Sequence, residues 1–479
     1  MSKRRILGPF NRVEGDLEVH IEADDQRVTL ARVNSPLFRG FEQILHGKPP
    51  LDALVYTPRI CGICSVSQSL ASANALADAG AIEPADNGRL AANLILAAEN
   101  LADHLTHFYL FFMPDFARPV YADEPWHAEI VRRFKAQCGT AFPPMLRARA
   151  ELLHLTALLA GKWPHSLALQ PGGTTCPVES HHKTELKLII AGFQQFLEDT
   201  LFGDRLQSIR ALDSRDALKR WSATHADSDF GRFLHVAAAL DLARLGQGHD
   251  RFLSYGAYEL DEHLFAAGCW NERGLQSLDQ SKITEDLSHS WVSGHTQPQH
   301  PYQGSTLTSD PQDGYSWCKA PRLDSTPMEV GALARQQVAG HPLIRDLVAV
   351  SGGNVQNRVI ARLLELARVV PEMLQWVDRL EPGNPFCNTA SLPEDSQGMG
   401  MVEAARGSLG HWLRIHKGRI FNYQIIAPTT WNFSPRDHNA VPGPLEQALA
   451  GTDVSDARGD LRIQHIIRSF DPCMVCTVH

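Results

Sequence analysis

Two cysteine pairs, each with two residues between its members, are the residues of this sequence best suited to chemistry. The first pair is Cys61 and Cys64, and the second is Cys473 and Cys476, close to His479 at the end of the sequence. A C-x-x-C turn brings two sulfurs close enough to bind one metal ion, and two such turns supply four thiolates. Thiolates select soft metals such as zinc, copper, nickel or the iron of iron–sulfur clusters over magnesium and calcium.

The spacing of the cysteines alone leaves the metal open. Paired C-x-x-C motifs most often hold structural zinc, with four sulfurs closing a tetrahedron, while a redox or iron–sulfur role and other metals remain alternatives. Structural zinc usually staples a small module whose two pairs are about 15–20 residues apart. These two pairs lie at opposite ends of a chain of 479 residues. A metal held between the ends of so large a chain favours a catalytic role.

The composition limits the class of protein. The 479 residues are 43% hydrophobic and 21% charged, which is enough for a well-buried core. A formal net charge of −9 argues against a nucleic-acid-binding protein, which usually carries a basic face. No apolar run of about eighteen residues predicts a membrane span, and the basic residues 3–5 are not followed by the apolar segment of a signal peptide. We therefore expect a cytoplasmic protein, or one delivered by a partner.

The N-terminal region predicts β structure. Residues 17–21 alternate between apolar and polar types, and the polar residues 24–26 predict a turn. Val28, Leu30 and Val33 then resume an apolar face. This pattern is typical of a β-hairpin.

The elements that follow the first cysteine pair are predicted to be helical. Small and helix-forming residues after Cys64 predict that the pair lies at the start of a helix. Residues 89–113 are almost wholly apolar and predict a helix buried on nearly all sides. Further helices are expected near 147–162, 184–203 and 357–380, the last with a kink or break at Pro371.

The remaining regions complete a prediction of one α+β domain. The polar stretch from about 270 to 340 predicts irregular structure or short strands, and residues 401–426 predict a strand pair. No linker rich in proline, glycine and serine divides the sequence. We predict a single domain over residues 1–479, mostly helical, with a large helical core and small peripheral sheets or hairpins. Its active site would form from residues 59–64 and 471–476.

Five motifs around these cysteines resemble the large subunit of [NiFe] hydrogenases, in the order in which that family has them. They are RVEG at 12–15, RICGIC at 59–64, ARGSLGHW at 405–412, PTTWN at 428–432 and DPCMVCTVH at 471–479. The resemblance implies that Cys61 and Cys473 bind nickel terminally. Cys64 and Cys476 would bridge nickel to an iron that carries one carbon monoxide and two cyanide ligands. It further implies heterolytic cleavage of H2 into protons and electrons at this centre.

The resemblance also assigns roles to charged residues around the metals. Glu14 matches the glutamate through which protons pass, beside a terminal nickel thiolate expected to be Cys473. Arg406 matches the arginine that overhangs the open side of the two metals. Asp103 and Asp471 match the carboxylates that hold this arginine in place.

Two more sites are implied by the same resemblance. Thr429 and the backbone near Pro428 match a pocket for one cyanide. Glu42, the carbonyl of Ile425 and His479 match the ligands of a magnesium site, which holds iron in some members. Oxygen-rich ligation with several waters suits magnesium, although a histidine nitrogen is atypical for it.

Departures from the family's usual residues narrow the prediction. Asp16 and Ala405 stand where histidine and proline are usual. Gln68 replaces a common histidine and would keep a hydrogen bond toward the centre through an amide that cannot titrate. Ile63 and Phe111 replace smaller residues along a hydrophobic gas route, where they would slow O2 more than H2, or they are ordinary core residues. With Gln68, this pattern resembles the slow, oxygen-insensitive hydrogen sensors of the family.

The end of the sequence and the other cysteines extend this prediction. Most members are made with an extension after the final histidine, which is later removed. Because this sequence stops at His479, we expect that the extension was never encoded, as in sensors, rather than that it was removed. The five other cysteines form no iron–sulfur motif. The resemblance therefore implies a small subunit that carries iron–sulfur clusters, joined by a large interface. A sensor would also need a signalling histidine kinase. An uptake hydrogenase that feeds respiration is the alternative, and a zinc-stapled binding protein without redox chemistry is a remote one.

Overall fold

The computed structural model describes residues 3–308 and 313–478. The α-helices of this part of the chain, in sequence order, are α1 (Phe41–Leu45), α2 (Ala53–Tyr56), α3 (Ser65–Ala79), α4 (Asp86–Thr106), α5 (His127–Phe134), α6 (Phe142–Ala160), α7 (Ser180–Phe196), α8 (Leu206–Arg210), α9 (Arg215–Thr224), α10 (Asp229–Ala239), α11 (Ala332–Val338), α12 (Pro342–Ser351), α13 (Val355–Arg379), α14 (Pro428–Asn432), α15 (Pro444–Leu449) and α16 (Gly459–Ser469). The strands are β1 (Lys3–Leu7), β2 (Glu18–Ala23), β3 (Val28–Asn34), β4 (Leu169–Gln170), β5 (Gly173–Thr174), β6 (Phe252–Glu259), β7 (His263–Asn271), β8 (Gly274–Gln276), β9 (Ile283–Asp286), β10 (Val292–Ser293), β11 (Leu307–Thr308), β12 (Ala320–Leu323), β13 (Ser396–Ala404), β14 (Gly407–His416) and β15 (Arg419–Ile426).

The strands form small antiparallel sheets at the edge of a helical body. Three sheets have three strands, in the orders β1-β2-β3, β6-β7-β8 and β13-β14-β15, and the others described are two-stranded. Each sheet joins strands that are near one another in the sequence, except the pair β9 and β12. The predicted α+β class, with a helical core and small peripheral sheets, is confirmed.

Helix α4 forms the centre of the helical body. It is buried along almost its whole length and packs against α6 and α13. The predicted helix over 89–113 does not stay α-helical to its end, because a π-helical segment, His107–Phe112, replaces its last turns. Pro371 lies inside the continuous helix α13, where it was expected to kink or break the helix. In the described part of the chain, no helix has both the length and the apolar character needed to cross a membrane.

The hairpin predicted near the N-terminus is present as β2 and β3. Val28 and Val33 are buried as expected, but Ala31 takes the buried position that Leu30 was predicted to share. The register of the two strands shifts between Glu22 and Ala23, and this irregularity changes which residues of β3 face the core.

The predicted strand pair over 401–426 is a three-stranded sheet, because β13 begins earlier than expected and pairs with β14 along its full length. The polar stretch from 270 to 340 does contain short strands, followed by the buried helix α11. The sequence did not predict the helices between residues 206 and 239, which are short. The larger core cluster of buried apolar residues extends from the N-terminal hairpin to the last cysteine, and a second, smaller cluster includes Trp412 and Trp431.

Candidate metal centre

Four buried sulfur atoms from the two ends of the chain meet in the core. The Sγ atoms of Cys61 and Cys473 are 3.5 Å apart, those of Cys64 and Cys476 3.1 Å, and those of Cys473 and Cys476 3.0 Å. All four lie within 4.8 Å of one another, and none is in a disulfide. Metal–sulfur bonds of about 2.3 Å place two sulfurs of a tetrahedral ion roughly 3.8 Å apart. Small outward shifts of these sulfurs would therefore admit a metal.

The first cysteine turn is set by the start of α3. Cys61 is extended, and its sulfur accepts a hydrogen bond from the backbone N–H of Ile63 at 3.3 Å. Cys64 occupies the N-cap position of α3, so its sulfur lies at the positive end of a helix of 15 residues. The helix dipole at that end favours a thiolate, but hydrogen bonds with the neighbouring thiols, chiefly Cys473, together with burial raise the pKa of Cys64 well above its ordinary value. Hydrogen bonds from the neighbouring thiols, chiefly Cys473, lower the pKa of Cys61.

The second cysteine turn follows a sharp change of direction after α16. Asp471 has a φ of 58°, a left-handed conformation that aspartate tolerates better than most residues. The hydroxyl of Thr429, in the first turn of α14, accepts a hydrogen bond from the backbone N–H of Cys473 at 3.0 Å. A single 3-10 turn, Met474–Cys476, completes the pair. The backbone of this pair is thus held by Thr429 from a distant segment, whereas the first pair leads directly into a helix.

Arg406 lies at the tip of the β13–β14 hairpin, in a two-residue turn. Its guanidinium is buried and binds Asp103 at 2.6 Å and Asp471 at 3.2 Å, and its Nε donates to the carbonyl of Asp471 at 2.9 Å. Burial alone would lower the pKa of Arg406, but the two carboxylates raise it well above its ordinary value. The predicted arginine and its two carboxylates therefore form one ionic cluster beside the cysteines.

Glu14 is joined to the second cysteine turn through its backbone. Its carbonyl accepts from the N–H of Met474 at 2.7 Å, and the two segments form a parallel bridge between Glu14 and Cys473. Burial and the nearby Cys61 raise the pKa of the Glu14 carboxyl, while Arg406 opposes the change. The structure thus places the backbone of Glu14 beside Cys473, whereas the thiol that raises the pKa of its carboxyl is Cys61; its role in proton transfer stays a prediction.

Gln68 lies one helical turn after Cys64, and its backbone N–H donates to the carbonyl of Cys64 at 3.1 Å. Its side-chain oxygen is 2.9 Å from Nε2 of His411, and Nδ1 of His411 is 2.8 Å from the hydroxyl of Tyr423. All three side chains are buried. The chain of hydrogen bonds fixes the orientation of the Gln68 amide.

The two residues predicted to line a gas route lie in different surroundings. Ile63 lies between the first two cysteines, is partly buried and packs against the core. Phe111 lies in the π-helical segment, where its side chain is partly exposed and its carbonyl accepts a hydrogen bond from Arg12 at 3.3 Å. The next residue, Phe112, is fully buried. The structure therefore places Ile63 at the cysteines and Phe111 on an adjoining element.

Glu42 and Ile425, two predicted magnesium ligands, are in contact. The carboxylate of Glu42 accepts from the backbone N–H of Ile425 at 2.8 Å, and it also binds the ammonium of Lys319 at 3.1 Å. Lys319 further binds Glu285 at 2.9 Å, and burial raises the pKa of Glu285 to about 7. These buried oxygens fit a hard cation, although Lys319 already neutralises part of their charge. The third predicted ligand, His479, lies outside the described residues.

Several residues near the cysteines were missed by sequence reasoning. Glu99 accepts hydrogen bonds in the first turn of α3, and Arg39 donates to the carbonyls of Ile60 at 2.6 Å and Val475. Arg39 stands in the same Arg-Gly-Phe-Glu motif as Glu42, so that motif contained the signal. Glu99 precedes Asp103 by one helical turn, and its position in an apolar helix could have identified it as a paired, buried acid.

The fold and the site together define a class: a metal-binding α+β protein whose four-thiolate centre is assembled from both ends of the chain under a buried arginine. The family model described as nickel-dependent hydrogenase matches residues 39–130 and 141–479. The chain therefore belongs to the nickel-dependent hydrogenase family. The remote alternative of a zinc-stapled binding protein is not supported by this membership.

Known proteins similar to this chain are large subunits of hydrogenases. It is 28% identical to the periplasmic [NiFeSe] hydrogenase large subunit of Desulfomicrobium baculatum, over 99% of this chain and 94% of that protein. It is 28% identical to the hydrogenase-2 large chain of Escherichia coli, over 100% of this chain and 97% of that protein. It is 27% identical to the uptake hydrogenase large subunit of Rhodobacter capsulatus, over 100% of this chain and 95% of that protein. The reduced Ni-Fe-Se hydrogenase of D. vulgaris Hildenborough superimposes with a TM-score of 0.85, at 28% identity and over 100% of both chains.

Proposed function

We propose that this chain is the subunit of a [NiFe] hydrogenase that cleaves H2, with Cys61, Cys64, Cys473 and Cys476 holding nickel and an iron that carries carbon monoxide and two cyanides. The observation that carries the proposal is the convergence of the four sulfurs within 4.8 Å beside Arg406. When bound, such a centre supplies a Lewis acid that polarises H2 for heterolytic cleavage.

The side chains around the centre have separate tasks in this proposal. Arg406 is held by Asp103 and Asp471, so its positive charge keeps a fixed position close to Cys64 and Cys473. The carboxylate of Glu14 accepts the proton that leaves the cysteine cluster and passes it outward, a task that its raised pKa favours relative to an ordinary carboxyl. The Thr429 hydroxyl keeps the Cys473 backbone in place.

Metal analysis with infrared spectroscopy tests this function directly. The chain would be purified with its partner subunit, and we expect nickel and iron together with infrared bands of iron-bound carbon monoxide and cyanide. One zinc ion per chain with neither nickel nor such bands would overturn the proposal. Measured H2 oxidation with an artificial electron acceptor would establish the activity.

The proposed reaction also needs components outside this chain. Electrons released from H2 require acceptors, and the similar proteins are named large subunits or large chains. We therefore infer a small subunit that carries iron–sulfur clusters. The oxygens around Glu42 are proposed to hold magnesium, or iron, together with His479, and elemental analysis of the purified complex would measure it. A complex that retains full activity without either metal would remove the need for this site.

A role in sensing H2, in the cytoplasm and through a histidine kinase, is the finer part of the proposal. It is supported by Ile63 at the cysteine turn, by Gln68 in place of a histidine and by the bulk of Phe111 in the π-helical segment after α4. The alternative, an uptake hydrogenase that feeds respiration, is favoured by the similarity to the Rhodobacter capsulatus uptake enzyme. One similar protein is named as periplasmic, so cell fractionation would test the location.

Substitution of the two bulky residues separates the sensing role from the uptake role. In the sensor proposal, Ile63→Val with Phe111→Leu lets O2 reach the metals, so the double variant would lose activity in air while the parent keeps it. Val66→Ile, at a buried position of α3, is a matched control for a change of one methyl group. Equal activity of parent and double variant in air would contradict the proposed gas filter.

A further inference from the structure

Glu99 is a fully enclosed carboxylate that the proposed reaction does not use. It lies in α4 with 3% of its surface exposed. Its oxygens accept from the backbone N–H of Val66 at 2.8 Å, from the N–H and hydroxyl of Ser67, both at 2.9 Å, and from the indole N–H of Trp163 at 3.1 Å. Burial raises the pKa of Glu99 to about 7 despite these four donors. A buried acid with this many partners serves a specific arrangement of the groups around it.

Val66 and Ser67 occupy the second and third positions of α3, where backbone N–H groups have no partner inside the helix. A serine, threonine or aspartate at the N-cap position usually supplies that partner from its own side chain. Here the N-cap residue is Cys64, which makes no side-chain cap, and its sulfur instead lies 3.1 Å from the sulfur of Cys476. The helix therefore obtains its cap from a different element.

The loop after α6 completes the enclosure of this turn. Trp163 binds Glu99, and two residues later the backbone N–H of His165 donates to the hydroxyl of Ser65 at 3.3 Å. Nδ1 of His165 lies 2.9 Å from the carbonyl of Pro58, just before the first cysteine turn. Three segments thus converge on the residues that flank the first cysteine pair.

We propose that Glu99 is a positioning residue for Cys64: its carboxylate caps α3 in place of the N-cap side chain and so leaves the Cys64 sulfur free for the metals. This inference rests on the proposed function. Without the carboxylate, the N–H groups of Val66 and Ser67 need a new acceptor, and the nearest position from which a helix is normally capped is that of Cys64 itself. Hydrogen bonds to a thiolate reduce the electron density it gives to a metal, so the iron would become less electron-rich.

The test compares Glu99→Gln and Glu99→Ala with a matched control, Glu446→Gln. Glu446 is equally buried and accepts from the N–H of Val33 and the hydroxyl of Tyr315, both at 2.9 Å, in another part of the chain. In the complex with the partner subunit, we expect the carbon monoxide band to move to higher frequency in both Glu99 variants. The shift should be smaller for Gln, which keeps one acceptor oxygen, and absent in the control.

A second measurement uses the metal-free full-length chain. Loss of the cap should speed hydrogen exchange of the Val66 and Ser67 amides by roughly tenfold in Glu99→Gln, whereas Glu446→Gln should leave these two amides unchanged. Unshifted bands together with unchanged exchange would overturn the positioning role. A parent complex without any carbon monoxide or cyanide bands would instead overturn the proposed function, and the exchange rates would still decide whether Glu99 caps α3.

Discussion

The two cysteine turns bring their sulfurs to one place, but the contacts that hold each turn differ. The first runs directly into α3, so its geometry follows from a helix of 15 residues and one buried glutamate, Glu99. The second ends in a single 3-10 turn and depends on residues far away in the sequence. Thr429 binds the Cys473 N–H, Thr430 binds the carbonyl of Thr477, and Glu14 pairs with the same segment.

This difference shows how far each turn depends on residues that are distant in the sequence. The first turn gains part of its geometry from the local contacts of α3, although Glu99 and the loop after α6 complete it, whereas Thr429 and Glu14 support the second turn from distant segments. Substitutions around the second turn should therefore weaken metal binding more than equivalent substitutions around the first. The predictions below test the supports of the second turn and its link to the first, from the largest expected effect to the smallest.

The largest effect is expected for Asp115, which anchors the segments on both sides of the second turn. Its buried carboxylate binds Arg12, Arg118 at 3.0 Å and Arg468 of α16 at 2.5 Å. Asp115→Asn removes the charge that these three arginines share, which should lower the free energy of unfolding by about 3–5 kcal/mol near neutral pH. Denaturant titration measures the change. Asp460→Asn, which breaks an exposed pair, is the control and should cost at most about 1 kcal/mol.

The same variant makes a prediction about pH. The arginines and His465 hold the pKa of Asp115 far below its ordinary value although burial acts in the opposite direction. A carboxyl whose pKa is depressed by folding stabilises the protein above the pKa of the unfolded chain, about 3.9. That stabilisation is lost as the pH falls toward the folded pKa. The difference between Asp115→Asn and the parent should therefore shrink below about pH 4, and a constant difference would show that the charge is not its origin.

Thr429→Val should have the next largest effect, because it leaves the buried N–H of Cys473 without an acceptor. We expect nickel affinity to fall by about 10–100-fold, as for other groups that orient metal ligands. Thr429→Ser keeps the hydroxyl and should stay near the parent. Nickel content after dialysis against a chelator measures the difference, and equal retention in the Val and Ser variants would show that the hydroxyl is dispensable.

Gly15→Ala tests the contact between the N-terminal segment and the second turn. Gly15 has a φ of 83°, and an added Cβ would lie 3.0 Å from Cγ1 and 3.1 Å from the backbone N of Val475. Gly47→Ala is the matched control, since its φ is 77° and nothing lies within 4 Å of the added atom. Both changes should cost about 1 kcal/mol through backbone strain, and only Gly15→Ala should also release nickel. Similar nickel retention in the two variants would show that the close contact between Gly15 and Val475 does not support nickel binding.

The smallest effect is expected for Arg39, which joins the backbones of the two turns from a partly exposed position. It donates to the carbonyls of Ile60 and Val475. Arg39→Met should lower the free energy of unfolding by only about 0.5–1.5 kcal/mol, because water can replace its donors. Faster loss of nickel to a chelator is the sensitive measurement. If the variant loses nickel at the same rate as the parent, Arg39 does not couple the two turns.

The sequence predicted the helical core and the two cysteine turns because their signals are local or carried by motifs. Apolar periodicity identified α4 and α13, and flanking letters identified Arg406 and Asp471. Short elements were not predicted because they bury few residues; α8, for example, is only five residues long. The ion pair between Lys319 and Glu285 was also not predicted, because only tertiary packing brings these two polar residues of an irregular region together.

Glu99 shows why the partners of a residue could not be predicted even where its burial could. Its partners Val66 and Ser67 contribute backbone N–H groups, which are common to every residue and leave no mark in a sequence. The prediction that Leu30 is buried was wrong for a related reason, because a shift of register changes the buried face of a strand without changing its composition. Motifs report the atoms that do chemistry more reliably than the backbone that supports them.

The backbone bridge between Glu14 and Cys473 has a consequence for thermal motion. Side chains on separate elements drift relative to one another as those elements fluctuate, and a proton jump is sensitive to tenths of an ångström. Here the carbonyl of Glu14 is hydrogen-bonded to the peptide that follows Cys473. Rocking of the C-terminal turn should therefore move the backbones of Glu14 and Cys473 together, so that the bases of their two side chains shift as one.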